Sequence, residues 1–441
     1  MSGITAVRGE AVTFTADPFL HPEEECVRHY DDALIVISDG KIMDVSEYAD
    51  IAPKYPGLSV VDRYEDALIV PGFVDCHAHY VQTSIVGSYG DTLLAWLNRY
   101  TFPEETRFSS PEYASLIAGR FLDRILLRGT TTANLFATTY APSVDAIFEA
   151  ARERGMRVIS GKVLQDRNVP EALRDPSAEE SVELSEELLL KWHGRGRQLY
   201  AVIPRFAPTS TPRQLELAGE LYRKYKDAGV YMHSHLDEAE KEIRWVAELY
   251  PDCASYTDVY RRYGLTGERA VFAHCCVVRP EEWQTLHDSG CGVAHCPSSN
   301  LFLGGGQFKF WEAKDPERPV LTGMGTDIGG GTNFSVFGEL SEAYKVGMIK
   351  AQPLSIIRSL YLATLGGAET LRLSDRTGRI EKGYDADLAV LDFKCNDFVE
   401  WRMQQCSNVW ERLFALQTLH PSRAVAATYA AGRKYTREAH K

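Results

Sequence analysis

The segment PGFVDCHAHY, residues 71–80, holds the pair of side chains with the clearest chemical potential. Residues 68–70 before it are apolar, so the segment is predicted to be a buried β-strand. Side chains alternate along a strand, and His77 and His79 therefore point to the same face. Two imidazoles at the end of a buried strand are suited to bind a divalent metal ion. The spacing alone is weak evidence, because a packed core histidine followed by a loop histidine gives the same pattern.

A metal site needs further ligands, and the rest of the chain predicts the elements that would supply them. From about residue 67 onward, eight short apolar strands alternate with helical sequence over roughly 300 residues, the pattern of a closed (β/α)8 barrel. An open, doubly wound sheet is the alternative fold. It is disfavoured because no G-x-G-x-x-G motif follows a strand.

The terminal segments have the pattern of short strands instead. Residues 4–70 contain alternating segments, with Asp39-Gly40 as the turn of a hairpin, and GRIEKGYDADLAVLDF returns to strands after the barrel. The predicted fold class is α/β, a (β/α)8 TIM barrel with a small β-sandwich domain built from the N- and C-terminal segments. We expect residues 1–67 and 378–441 to form the β-sandwich domain, and residues 68–377 to form the metal-dependent catalytic barrel.

Catalytic side chains of such barrels come from the carboxyl ends of the strands. The predicted strand ends of this chain carry many of its histidines, one arginine and one aspartate: His77, His79, Arg205, His233, His235, His274, His295 and Asp327. Chance does not concentrate histidines in this way, so the pattern predicts one mononuclear metal site. Three histidines and one carboxylate suit Zn²⁺, although the same ligand types also accept iron or manganese.

Two histidines compete for one ligand position, because strand alternation lets both His233 and His235 face the interior. His235 is preferred, since Glu238 follows it closely enough to exchange a proton with a water molecule at the metal. The alternative for Glu238 is a carboxylate in the first turn of a helix, stabilised by the helix dipole. His274 is expected to orient that water or to support the ligands, and His295 is expected to be a packed structural histidine.

Composition restricts the location and the partners of the chain. The formal net charge of −13 argues against binding to nucleic acid or to an anionic membrane surface. The nine cysteines are scattered and form no C-x-x-C pair, which predicts free thiols in a reducing, cytoplasmic compartment. The sequence predicts neither a signal peptide nor the run of about 18 apolar residues that a membrane span requires.

The motifs PGFVDCHAH, HSHLDE, FAHC, AHCPSSN and GMGTD resemble those of the amidohydrolase superfamily, in its branch of mononuclear aminohydrolases. More narrowly, HYVQTSIVGSYGDTLLAWLNRYTFPEETRF and LYPDCASYTDVYRRYGLTGERAVFAHC are similar to guanine deaminases of the barrel type. The likeness runs from about Leu68 to about Phe393. It implies zinc-dependent hydrolytic deamination of guanine to xanthine and ammonia, in purine catabolism. We expect one Zn²⁺ per chain, a small purine as the substrate, and a homodimer.

The resemblance also implies roles for individual residues. The metal ligands would be His77, His79, His235 and Asp327. Glu238 would shuttle protons, and the chemistry of the site adds Asp327 and His274 as catalytic residues beside it. The substrate would lie against Gln82, Arg205, Phe206, His79, His235 and Asp327. An amide and a guanidinium can hydrogen-bond a purine edge, and a phenyl ring can stack on it. A surface ion pair is the alternative role for Arg205.

The same residue pattern bears on three alternative functions. The same machinery could deaminate another amino-heterocycle, such as 8-oxoguanine, a pterin or a triazine. Ring-amide hydrolysis by a binuclear relative typically uses a carboxylated lysine near the end of strand four, where this chain has Arg205 and no adjacent lysine. A non-catalytic scaffold would have lost metal ligands, whereas the predicted set is complete here.

Overall fold

The computed structural model describes residues 4–58, 62–90 and 93–437, and its elements are numbered along the chain. The strands are β1 (Ile4–Phe14), β2 (Val27–Ser38), β3 (Lys41–Glu47), β4 (Asp62–Pro71), β5 (Phe73–His79), β6 (Thr130–Phe136), β7 (Arg157–Gly161), β8 (Val163–Leu164), β9 (Gln198–Pro204), β10 (Tyr231–Leu236), β11 (Ala270–His274), β12 (Gly292–His295), β13 (Leu321–Met324), β14 (Leu388–Asp392), β15 (Val425–Ala430) and β16 (Arg433–Tyr435). The α-helices are α1 (Tyr48–Ile51), α2 (Leu93–Trp96), α3 (Phe102–Glu105), α4 (Pro111–Leu126), α5 (Ala141–Glu153), α6 (Ala178–Trp192), α7 (Pro212–Tyr225), α8 (Glu240–Leu249), α9 (Tyr256–Arg262), α10 (Pro280–Ser289), α11 (Pro297–Phe302), α12 (Phe310–Ala313), α13 (Val336–Ile349), α14 (Ile356–Ala363), α15 (Leu365–Thr370), α16 (Asp397–Met403) and α17 (Val409–Leu419).

Parallel strands form a barrel in the order β5, β6, β7, β9, β10, β11, β12 and β13, and the short β8 pairs with β9. The barrel closes through backbone hydrogen bonds between β5 and the segment directly after β13. Asp327 N donates to His77 O at 2.8 Å, and His79 N donates to Ile328 O at 2.6 Å. The strands are nearly continuous apolar runs because helices cover the outside of the barrel and side chains fill its interior. The predicted (β/α)8 barrel is confirmed.

A second sheet contains strands from both terminal segments, in the order β16, β15, β14, β4, β1, β2 and β3. The predicted hairpin joins β2 to β3, where Ser38 pairs with Lys41 across Asp39 and Gly40, which adopt φ values of 50° and 76°. β14 pairs with β4 in antiparallel register, so the N- and C-terminal segments build one β domain, as predicted. Residues 59–61, where strand sequence was also expected, lie outside the described residues. The exact division at residues 67 and 377 stays a prediction.

The segment after Phe393 contributes α16 and α17 between β14 and β15. Their apolar residues, including Val399, Leu413 and Leu416, join the same core cluster as the helices around the barrel. This packing fixes the β domain against the barrel. No helix in the described part of the chain is both long enough and apolar enough to cross a membrane.

Candidate metal centre and active site

The four predicted metal ligands meet at the carboxyl ends of β5, β10 and β13. His77 Nε2 lies 3.1 Å from Asp327 Oδ1, and His79 Nε2 lies 3.4 Å from the same oxygen. His79 Nε2 also lies 3.1 Å from His235 Nε2. Ligand atoms of His77, His79 and His235 all lie within 4.8 Å of one another, and so do those of His77, His274 and Asp327. The strand ends therefore bring one compact set of nitrogen and oxygen donors together.

The hydrogen bond of His235 fixes the direction of its lone pair. Its Nδ1 lies 2.6 Å from the backbone oxygen of Arg205, which can only accept, so Nδ1 carries the proton. Burial and the nearby His77 and His274 hold the pKa of His235 well below its usual value, and the ring is neutral. Its Nε2 lone pair then faces His79 and the shared donor set. A cation is the partner that fits this arrangement.

The second histidine of β10 lies behind the donor set. His233 Nε2 is 2.9 Å from His77 Nδ1, so it contacts the far side of that imidazole. His77 Nε2 is buried, has no hydrogen-bond partner among the described residues, and faces Asp327. Burial, with His274 and Arg205 nearby, holds the pKa of His77 well below its usual value. This geometry favours His235 for the contested ligand position and gives His233 a supporting one.

Asp75 connects the strands that carry these ligands. Its Oδ1 accepts from His77 N at 3.3 Å and from Thr326 N at 3.0 Å, and its Oδ2 accepts from Thr326 Oγ1 at 2.5 Å. Burial raises the pKa of this carboxyl to about 7. The contacts hold His77 in place relative to Asp327. No role was predicted for Asp75 from the sequence, although it stands inside the first histidine motif.

Glu238 and His274 lie beside the donor set. His274 Nε2 is 3.7 Å from Glu238 Oε2 and 3.9 Å from Asp327 Oδ2, and its Nδ1 is 2.8 Å from Asn300 Oδ1. Burial raises the pKa of Glu238. Burial lowers the pKa of His274, but the carboxylates of Glu238 and Asp327 outweigh that effect and raise it. The three groups are therefore close enough for the charge of each to affect the pKa of the others.

Glu238 stands before the first helical turn, since α8 begins at Glu240, and its side chain lines the cavity described below. His295 lies apart from the donor set and stacks on Phe308, with ring centroids 4.6 Å apart. Burial lowers the pKa of His295 to about 3, so it is a neutral packed ring, in agreement with the structural role expected for it.

A cavity of about 50 Å³ opens at the donor set. Its lining contains every predicted substrate contact: His79, Gln82, Arg205, Phe206, His235 and Asp327. Trp96 and Leu97 line it from the long segment after β5. The cavity adjoins a larger one of about 560 Å³, and Leu97, Phe206 and Glu238 line both. A small planar molecule could therefore approach the donor set through the larger cavity.

Two of the predicted substrate contacts bind a carboxylate that the sequence analysis missed. Gln82 Nε2 donates to Glu105 Oε1 at 2.9 Å, and Arg205 Nη1 lies 3.0 Å from each carboxylate oxygen of Glu105. Arg205 is only 3% exposed, which excludes the surface ion pair considered for it. A buried arginine needs a buried acceptor. A search for a carboxylate to pair with Arg205 could therefore have pointed to Glu105.

The model of the Amidohydrolase family matches residues 68–434. The chain belongs to this family. The resemblance to amidohydrolases is thereby confirmed, and the chain is a hydrolase acting on C–N bonds. Family membership and the histidine–aspartate cluster together indicate a mononuclear metal site.

Individual relatives are similar along almost the whole chain. The guanine deaminase of Escherichia coli (strain K12) is 44% identical over 443 residues, which cover 98% of each sequence. The solved structure of E. coli guanine deaminase superimposes with a TM-score of 0.94, covering 98% of this chain and 100% of the other. A structure of guanine deaminase from C. acetobutylicum with bound guanine has a TM-score of 0.87 at 29% identity, covering 98% of this chain and 99% of the other.

Proposed function

We propose that this amidohydrolase deaminates guanine hydrolytically to xanthine and ammonia, using one Zn²⁺ per chain. The observation that carries the proposal is one cavity lined by the histidine–aspartate cluster, by Glu238, and by two polar side chains suited to a purine edge. Similarity to guanine deaminases over 98% of the chain supports the same substrate.

The residues that would hold the metal are His77, His79, His235 and Asp327. The fit rests on two ring nitrogens without a proton partner. His235 carries its proton on Nδ1 and turns Nε2 toward His79, and the buried His77 Nε2 faces the Asp327 carboxylate. Three imidazoles and one carboxylate suit Zn²⁺, and iron or manganese would accept the same donors. When bound, the ion supplies Lewis acidity, which lowers the pKa of water toward neutrality.

Glu238 would move the protons of the reaction. Hydrolysis adds water to the amino-bearing carbon and expels ammonia, so one proton of the water must reach a ring nitrogen. The other proton, from the hydroxyl left on the carbon, must reach the leaving nitrogen as the carbonyl forms. Glu238 lines the cavity, and its raised pKa favours a carboxyl that can both accept and return a proton. Asp327 and His274 would orient the attacking oxygen, consistent with the 3.9 Å between Asp327 Oδ2 and His274 Nε2.

Gln82, Arg205 and Phe206 would bind the purine, with His79, His235 and Asp327 completing the contact surface. A guanidinium offers only donors, so Arg205 would face a carbonyl oxygen or an unprotonated ring nitrogen. Phe206 would stack on the ring, since it lines the cavity and packs edge-on against Trp245 at 5.9 Å. These contacts distinguish guanine from heterocycles without such acceptors.

We further propose that the enzyme serves purine catabolism in the cytoplasm as a homodimer. The nine free cysteines agree with a reducing compartment. Light scattering on the purified protein would test the dimer, since a monomeric mass would contradict it.

The reaction is tested by ammonia release from a panel of guanine, 8-oxoguanine, a pterin and an aminotriazine. Metal content is measured on the same preparation. Fastest turnover of guanine by protein with about one zinc per chain is the expected result. Faster turnover of another heterocycle would mean that this compound, and not guanine, is the substrate of the same metal site. Full metal loading without ammonia release from any of the four would overturn the deaminase proposal.

A further inference from the structure

Glu105 is a buried carboxylate that does not line the active-site cavity but binds two side chains that do. It lies at the end of α3 and is 0% exposed. Its Oε1 accepts from Gln82 Nε2, and both of its oxygens lie 3.0 Å from Arg205 Nη1. One group therefore contacts both polar side chains that are suited to a purine edge.

This carboxylate gives the Gln82 amide a single orientation. A carboxylate can only accept, so the amide must turn its nitrogen toward Glu105. On the other side, Gly329 N donates to Gln82 Oε1 at 3.2 Å, and a backbone N–H can only donate. The two contacts agree on one orientation. A flipped amide would place donor against donor and acceptor against acceptor.

The same carboxylate neutralises a buried cation. Arg205 lies at the end of β9 and is 3% exposed, so its charge needs an opposite charge within hydrogen-bond distance. Only Nη1 of its guanidinium binds Glu105, and Arg205 also lines the cavity. Glu105 thus anchors one edge of the guanidinium while the residue remains available at the cavity.

Glu105 reaches this position from the segment that covers the cavity. The core cluster of this segment contains Trp96, Leu97 and Phe102, packed with Leu173. The guanidinium carbon of Arg205 lies 5.8 Å from the ring centroid of Phe102. Packing of the covering segment therefore also determines where the carboxylate stands.

We propose that Glu105 is a positioning residue that fixes Gln82 and Arg205 in the geometry that reads the purine. This inference rests on the proposed function, because the molecule that Gln82 and Arg205 would bind is the proposed substrate. With both partners fixed, the site presents donors at set positions and selects a heterocycle whose acceptors match them.

The test is the Glu105→Gln variant, assayed for guanine deamination with zinc content measured in parallel. The new amide oxygen can replace Oε1 and still accept from Gln82, but the amide nitrogen then stands at Oε2 and turns a donor toward Arg205 Nη1. The variant also removes the negative charge that neutralises the guanidinium. Weaker positioning affects the bound substrate and the transition state alike, so KM should rise about 10- to 100-fold with kcat within roughly threefold. Zinc content should be unchanged, because Glu105 hydrogen-bonds none of the residues proposed to bind the metal.

Glu104→Gln is the matched control. Glu104 is also buried, at 6% exposed, and stands on the same helix, but its carboxylate binds Arg107 at 3.0 Å and Tyr113 instead. Loss of its charge perturbs the same segment without touching the cavity residues. KM should therefore stay at the wild-type value, and an equal rise in both variants would reduce Glu105 to a structural role.

A double variant separates positioning from folding. Glu105 acts through its partners, so Glu105→Gln should have a much smaller effect in an Arg205→Ala background, whereas independent effects would multiply. Glu105→Asp keeps the charge with a shorter reach and should show an intermediate KM, which preserves the test if Glu105→Gln does not fold. Normal guanine turnover by the wild type with an unchanged KM in the variants overturns the Glu105 proposal alone. Failure of the wild type to use guanine overturns the proposed function and, with it, this inference.

Discussion

Two clusters of largely buried ionisable groups lie at opposite ends of the barrel strands. At the amino ends, Arg157 and Arg197 bind Asp385 and Asp387 beside the β domain. Arg157 Nη2 lies 2.6 Å from Asp385 Oδ2, and Arg197 Nη1 lies 3.0 Å from Asp387 Oδ1. Lys41 Nζ binds the other oxygen of Asp385 at 2.5 Å. Each cation of this cluster therefore has an anion in contact.

The cluster at the carboxyl ends is arranged in the opposite way. Imidazoles face one another there, and burial and mutual repulsion lower the pKa of His77, His79, His233 and His235. His77 Nε2 and His79 Nδ1 have no hydrogen-bond partner within the described residues. At the amino ends, by contrast, burial would raise the pKa of Asp385, but Arg197, Lys41 and Arg157 outweigh it and lower the pKa.

The difference separates stability from chemistry. Charges with an opposite charge in contact hold two domains together, because each ion pair offsets part of the cost of desolvation. Imidazole nitrogens that face one another without a partner destabilise the folded protein. Such an arrangement is retained where a bound ligand offsets this cost. The comparison predicts that substitutions at the two clusters will separate cleanly into effects on activity and effects on unfolding.

The largest effect on activity is expected from His235→Ala. Loss of one ligand from the donor set should leave the metal content far below one ion per chain and the deaminase activity undetectable. His233→Ala is the control, and it should retain metal because His233 contacts only the far side of His77. Metal analysis decides between them. Unchanged metal in His235→Ala with loss in His233→Ala would assign the ligand position to the other histidine.

Glu238→Gln should preserve the donor set and remove the proton shuttle. We expect full metal content and kcat reduced by roughly 10²–10⁴-fold, the range of general acid–base catalysis. The measurement is a single-turnover rate and a metal assay on the same preparation. The exposed Glu240, two residues along, supplies the control, since Glu240→Gln should leave both values unchanged. Near-normal turnover in Glu238→Gln would contradict this role and assign the proton transfers to Asp327 and His274.

A smaller effect is expected from Arg205→Ala, which removes a binding group and leaves the metal ligands intact. Loss of a charge-assisted hydrogen bond in a dry pocket should reduce transition-state stabilisation by about 2–3 kcal/mol. This loss lowers kcat/KM for guanine roughly 30- to 150-fold. Metal content should not change. Steady-state kinetics on guanine measure the loss, and wild-type values would make Arg205 a purely structural partner of Glu105.

The smallest effect on turnover is expected from Asp385→Asn, at the paired cluster. Breaking buried ion pairs should lower the free energy of unfolding by about 3–5 kcal/mol, with kcat of the folded enzyme unchanged. Denaturant unfolding and an assay at low temperature measure the two quantities. A fall in kcat without a change in stability would contradict the division between the clusters.

Asp385 also predicts a pH dependence of stability with a definite sign. Its pKa is lower in the folded state than in the unfolded chain, so the unfolded state binds the proton first as the pH falls. The stabilisation is complete above the usual carboxyl pKa and disappears on acidification through the folded pKa. Asp385→Asn should therefore flatten the acidic limb of the stability curve, and an unchanged limb would show that Asp385 does not contribute to it.

Local patterns in the sequence were sufficient for the architecture and for the location of the site. Alternating apolar strands and helices predicted the barrel, and Asp39-Gly40 predicted the hairpin, because periodicity and turn chemistry depend on neighbouring residues. The histidines at the strand ends predicted where donors would meet, since parallel strands place all their carboxyl ends on one side.

The spacing to Glu238 already favoured His235 over His233, whereas the contacts that support this preference, and the roles of Asp75 and Glu105, appear only in the tertiary structure. Alternation turns both histidines of β10 inward, and only the carbonyl of Arg205 and the ring of His77 distinguish them. Glu105 meets Arg205 across 100 residues, and Asp75 meets Thr326 across 251. Such partners become neighbours only when the barrel closes and the long first loop packs over it. The sequence therefore determined which groups could do chemistry, and the closed fold decided which of them touch.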